Sequence, residues 1–131
     1  MILVDTNVLV DVIHNDPIWL DWSLRALSKA QNQTVMTNFV VYAELHTHNT
    51  AGPHIDVFLD QLKVQVLDLS KPAAQLAANA FRAYRHRGGT KTGVLPDFFI
   101  GAHAQADGYQ LLTRDAGRYK TYFPKIKLIC P

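Results

Sequence analysis

The sequence predicts an α/β fold in which a mainly parallel sheet is covered by helices on both faces. Two observations carry this. Short apolar runs such as Ile2-Leu3-Val4 alternate with stretches whose apolar residues recur at helical spacing. Caps and breakers punctuate the helical stretches, with Asn38 and Ser70 at starts and Gly88-Gly89 and Gly108 at stops. The length, 131 residues with 48% hydrophobic, suits one domain over 1–131 with a real core.

The elements follow in order. Ile2-Leu3-Val4 reads as a buried strand that ends at Asp5. Val8, Leu9, Val12 and Ile13 form a helical face from Thr6 to His14. Asp16-Pro17 reads as an N-cap and first helical residue, followed by Ile18, Trp19, Trp22, Leu24 and Leu27 and fading near Gln31. Thr34 to Thr37 is a second strand. Asn38 caps an apolar helix to about His46, and Ala51-Gly52-Pro53 breaks the chain. A helix with Ile55, Phe58, Leu59 and Leu62 leads to a strand at Val64 to Leu67. Ser70 caps a long helix from Lys71 to about Arg87. Pro96 opens a helix to about Asp107, Gln110 to Thr113 is a fourth strand, a helical turn follows Asp115, and Ile126 to Ile129 is the last strand.

Composition excludes several classes. No apolar run reaches the roughly 18 residues that span a bilayer, and Met1 to Asp5 lacks the charged start of a signal peptide. The single cysteine, Cys130, rules out an internal disulfide and a cysteine-based zinc site. A cytoplasmic protein is expected. Charge is uneven: residues 1–81 carry four Lys/Arg and eight Asp/Glu, whereas residues 82–131 carry nine and three. The basic C-terminal part suits either a polyanionic partner or a solvated surface.

Most of the eleven acids have ordinary places. Asp16 is a cap; Asp11 could line the site, but a solvent-facing helix position is expected. Four stand out. Asp5 and Asp115 follow strands, where ligand sites form in parallel sheets. Asp97 lies in the first turn of its helix. Glu44, the only glutamate, sits inside an apolar helix, where a lone carboxylate is costly. Each aspartate alone reads as a cap, and Glu44 alone could point to solvent. Together they could share one cleft. Like charges at about 4 Å repel by about 4 kcal/mol at an effective dielectric near 20, so the cluster needs a cation. All-oxygen ligation selects Mg²⁺ or Mn²⁺. Such an ion activates water and neutralises charge on a phosphodiester.

Four motifs carry a family resemblance: Val4-Asp5-Thr-Asn-Val-Leu-Val-Asp11, Tyr42-Ala-Glu44-Leu, Pro96-Asp97-Phe-Phe-Ile-Gly-Ala-His-Ala104 and Leu111-Leu-Thr-Arg-Asp115-Ala-Gly-Arg-Tyr119. In order and spacing they resemble the acidic motifs of PIN domains, most closely the VapC-type toxins of type II toxin–antitoxin systems. The resemblance implies a three-layer α/β/α sandwich and metal-dependent hydrolysis of RNA, with transfer or ribosomal RNA as target. It implies Asp5 and Asp97 as the most direct metal ligands, with Glu44 and Asp115 completing the site. Asn7 and Thr113 would orient the carboxylates. It also implies a homodimer and a small antitoxin partner. Arg82, Arg85, Arg87, Lys91, Arg114 and Arg118 are candidate contacts to RNA phosphates, against the simpler reading that Arg85 and Arg87 suit a helix C-terminus.

Rival readings are a non-catalytic RNA-binding or interaction module with a vestigial site, against which the intact acids stand, and a metal-dependent DNA nuclease. His46, His48 and His54 invite a zinc reading, but His46 and His48 diverge on a helix and no His-Glu-x-x-His pattern is present, so exposed loop histidines are expected. His103 reads as structural. Tyr119, Tyr122 and Phe123 either stack on bases or anchor the C-terminal strand.

Overall fold

A computed structural model describes residues 1–49 and 54–131. The chain break expected at Ala51-Gly52-Pro53 lies outside them. The strands are β1 (Ile2–Val4), β2 (Val35–Asn38), β3 (Gln65–Leu67), β4 (Gln110–Leu112) and β5 (Leu128–Ile129). The helices are α1 (Thr6–Ile13), α2 (Leu20–Ala30), α3 (Phe39–His48), α4 (Ile55–Gln61), α5 (Lys71–His86), α6 (Leu95–Asp107) and α7 (Gly117–Tyr122).

The sheet is wholly parallel, in the order β3-β2-β1-β4-β5. Successive residues of a strand face opposite sides, yet Ile2, Leu3 and Val4 are all buried. Both faces of β1 are therefore covered, and the sheet lies inside an α/β/α sandwich. From β1 the chain moves outward to β2 and β3, then returns to place β4 on the other side of β1. That reversal opens a crevice beyond the carboxyl ends of β1 and β4.

Local signals set most boundaries. The Asn38 side chain accepts from the Val41 amide, and that of Ser70 from the Ala73 amide. Gly108, with φ +73°, ends α6. Two expectations need correction. Asp16 does not start α2: its Oδ1 accepts from the Ile18 and Trp19 amides and closes a turn, and the helix begins at Leu20. Ile18 is left outside it, 78% exposed. Helix α3 runs on to His48, so His46 and His48 lie in its last turn rather than in a loop.

The core joins β1, β2 and β4 to Leu9, Leu45, Phe98, Ile100 and Phe123. Gly101 is where α6 meets the end of α7, and a methyl group there would collide with the Phe123 ring. This close approach seats α7, and with it Tyr119, under the crevice. Phe98 packs edge-on against Phe81 and Tyr122. Tyr119 and Phe123 are buried, so these aromatics anchor the C-terminal segment and do not present faces to bases.

Candidate active site

Register brings the first two groups together. Val4 pairs with Leu112, so the next residues, Asp5 and Thr113, stand side by side beyond the sheet. Asp5 has extended backbone at the N-cap of α1, and its Oδ1 accepts from the Thr6 amide at 2.7 Å. Its Oδ2 accepts from Thr113 Oγ1 at 2.8 Å, Tyr119 OH at 2.9 Å and Asn7 Nδ2 at 3.3 Å. Thr113 Oγ1 also takes a bond from the Asp115 amide, which ties the turn after β4 to the same carboxylate. Every direct partner of Asp5 is a neutral donor. Burial pushes its carboxyl up to about 6, and the nearby charge of Asp97 adds to this against the pull of the Thr113 and Tyr119 hydroxyls. Burial and the charge of Asp5 keep the Tyr119 phenol protonated.

Glu44 reaches the crevice from α3. Its Oε1 accepts from Thr6 Oγ1 at 2.7 Å. Partial burial raises its carboxyl, with Asp97 raising it further and the Thr6 hydroxyl and His48 opposing. Asp97 comes from the first turn of α6, and its Oδ2 accepts from Arg118 Nη1. Burial raises its carboxyl too; Arg118 opposes this and Asp115 reinforces it. The two helices that carry Glu44 and Asp97 are joined by a buried contact. Asn38 Nδ2, at the start of α3, lies 3.1 Å from His103 Nδ1 on α6, and His103 Nε2 lies 3.1 Å from Asp107 Oδ2. Burial lowers the pKa of His103. Its role is architectural.

Asp5, Glu44 and Asp97 line one cleft of about 250 Å³ with Thr6, Asn7, Val10, His48 and Arg114. Asp115 is exposed and outside this lining, at the rim, and is tied to the group through Thr113 and the field it exerts on Asp97. Among the described residues no three acidic, histidine or cysteine side chains stand close enough to hold a metal ion as they lie. Thr6 occupies one oxygen of Glu44, and Arg118 one oxygen of Asp97. The donor set nevertheless fits a hard divalent ion. It is all oxygen, three of its members have raised pKa values, and it is short of positive charge.

The basic candidates divide into two groups. Arg114 and Arg118 are at the site. Arg114 lines the cleft, but its Nε and Nη2 make two 2.9 Å bonds to Asp11, and its guanidinium lies 5.4 Å from the centre of the Trp19 ring. Arg82, Arg85, Arg87 and Lys91 are exposed on and after α5. Arg85 lies over Phe81, and Arg87 over Tyr122 on α7. His46 bonds back to the Tyr42 carbonyl, whereas His48 reaches the cleft rim.

Sequence reasoning missed three groups. Asp11, expected to face solvent, is 1% exposed and also accepts from Ser23 Oγ. The α1–α2 packing buries it, and Arg114 from the loop after β4 neutralises it. Thr6 and the Tyr119 hydroxyl were not assigned to the site. Thr6 is the middle residue of Asp-Thr-Asn, and Tyr119 falls four positions after Asp115, which are the only cues to either.

Comparison with known proteins bears on the fold and the family. The PIN domain family model matches residues 2–124. Curated protein sequences give no match. Among solved structures, VapBC2 from Rickettsia felis, bound to a DNA fragment from its promoter, superposes with TM-score 0.75 at 22% identity, covering 99% of this chain and 98% of that one. FitAcB from Neisseria gonorrhoeae gives 0.71 at 21% identity, covering 98% and 96%. VapBC-1 from nontypeable Haemophilus influenzae gives 0.71 at 16% identity, covering 99% and 98%. These likenesses show the fold, and the family model shows the family: the chain belongs to the PIN domain family.

Proposed function

We propose that this PIN-domain chain is a metal-dependent endoribonuclease, the toxin half of a toxin–antitoxin pair, acting in the cytoplasm as one domain over 1–131. The observation that carries the reading is the placing of Asp5, Glu44 and Asp97 around one cleft at the sheet's carboxyl edge, with Asp115 at its rim and too few cations to balance them. Asp5, Glu44, Asp97 and Asp115 would hold Mg²⁺ or Mn²⁺. When bound, such an ion supplies Lewis acidity at a phosphodiester and lowers the pKa of water.

The chain's other residues hold the acids ready. Thr6 fixes Glu44 through its hydroxyl. Thr113, Tyr119 and Asn7 fix one oxygen of Asp5, and the Thr6 amide fixes the other. Asp11 holds the Arg114 guanidinium by two of its nitrogens at the cleft wall. Arg114 and Arg118 would meet the phosphate nearest the cleft, and Arg82, Arg85, Arg87 and Lys91 would follow the strand outward. The likeness to VapBC structures supports a cognate antitoxin as partner, and the homodimer that the motif resemblance implies is proposed with it.

A panel of labelled transfer RNA, ribosomal-RNA fragments and DNA, incubated with purified protein and Mg²⁺, Mn²⁺ or EDTA, tests the reading. RNA cleavage that requires the ion and disappears in the Asp5→Asn/Asp97→Asn double variant is expected. Cleavage of DNA alone would reassign the substrate. Metal-stimulated cleavage persisting in the double variant would overturn the site.

A further inference from the structure

Among the described residues, only one cation is ion-paired with any of the four acids: Arg118, on Asp97. Asp97 is also the acid whose charge bears on both Asp5 and Glu44. The pair is half-open to solvent, with side chains 25% and 35% exposed. The next residue, Tyr119, is buried and bonded to Asp5 through its hydroxyl. The backbone of α7 is therefore pinned at the site, while the neighbouring guanidinium is only partly buried. One turn further along α7, Tyr122 carries the Arg87 guanidinium 5.4 Å from its ring centre, so the helix has a second cation one turn away.

We propose that Arg118 is the resident counter-ion of the carboxylate cluster, that a divalent ion binds by displacing it from Asp97, and that the released guanidinium then meets an RNA phosphate. The proposal rests on the nuclease reading above and deepens it. Two cations on one carboxylate repel each other across a few ångströms. Ion and guanidinium therefore compete for Asp97, and the coupling is reciprocal: whatever Arg118 subtracts from metal affinity, the metal subtracts from the ion pair. Arg118 offsets the mutual repulsion of the carboxylates. Arg118 is thus a positioning residue whose effect on metal and on RNA has opposite sign.

The test is Mn²⁺ affinity by calorimetry for the wild type, Arg118→Ala, Arg118→Gln and Arg118→Lys, with thermal melts to establish that each is folded. RNA affinity is measured in parallel without metal turnover, in Ca²⁺. Loss of the cation should tighten Mn²⁺ binding by about two- to fivefold, the range of a partly exposed ion pair, with Arg118→Lys between. The same variants should bind RNA more weakly. Unchanged or weaker Mn²⁺ binding in folded Arg118→Ala and Arg118→Gln, with the wild type binding normally, overturns the proposal and leaves the nuclease reading intact. No Mn²⁺ binding by any of the four proteins overturns both.

Discussion

Helix α1 has a buried carboxylate at each end, and the two are treated differently. Asp11 is 1% exposed and receives a two-pronged guanidinium from Arg114 and a hydroxyl from Ser23. Asp5 is 4% exposed and receives only neutral donors, in the field of a second acid. A buried acid with its own cation is architecture: the pair ties α1 to the loop after β4. A buried acid without one, beside other acids, is short of positive charge that a cation from outside can supply. Burial does not separate these two carboxylates; the identity of the partner does.

The largest test of this contrast is catalytic. Asp5→Asn or Asp97→Asn should lower RNA cleavage by at least about 10²–10³-fold, with each variant still folded in thermal melts. For the structural acid the expected loss is in stability. Arg114→Ala leaves Asp11 buried and unpaired, and should cost about 3 kcal/mol in denaturant unfolding. If it costs no more than Asp5→Asn, the distinction between the two ends fails.

The pH dependence sharpens the contrast. Asp5 has a folded pKa of about 6 against 3.8 unfolded. Between these values the native state binds more protons than the unfolded state, so stability falls as pH rises from about 4 to about 6 and levels off above. The loss from this group is about 3 kcal/mol. Glu44 and Asp97 shift in the same direction. Comparing metal-free wild type with Asp5→Asn from pH 4 to 7 isolates the effect of Asp5. A wild type that gains stability over this range relative to the variant would contradict it, and Mg²⁺ at pH 7 should restore much of the loss. The smallest effect is that of Tyr119→Phe, which removes one hydroxyl from Asp5. It should cost about 1 kcal/mol and raise the Asp5 carboxyl further, as read by carboxyl NMR titration.

Much of the site was legible before folding was considered. Asp5 and Asp97 announce themselves by sitting where a strand ends and where a helix begins, and both reach the crevice. Glu44 stands out as a lone acid on an apolar helix, and it too turns inward. Asp115 shares the strand-end signal with Asp5 but stays exposed outside the cleft lining, where its Oδ1 accepts from the Gly117 amide at the start of α7. Asp11 was misread because helical spacing shows a residue's angular position but not which neighbour covers that angle. Helix α2 covers it, and the compensating Arg114 is more than a hundred residues away.

By itself the sequence determined the alternating elements, the caps at Asn38 and Ser70, the parallel sheet and the candidate acids, because these depend on local periodicity and on residue chemistry. Only the tertiary structure decided which acid has a cation and which does not. Charge balance is summed over neighbours in space, and here those neighbours come from α1, α3, α6 and α7, brought together by the strand order and by the register that sets Asp5 beside Thr113.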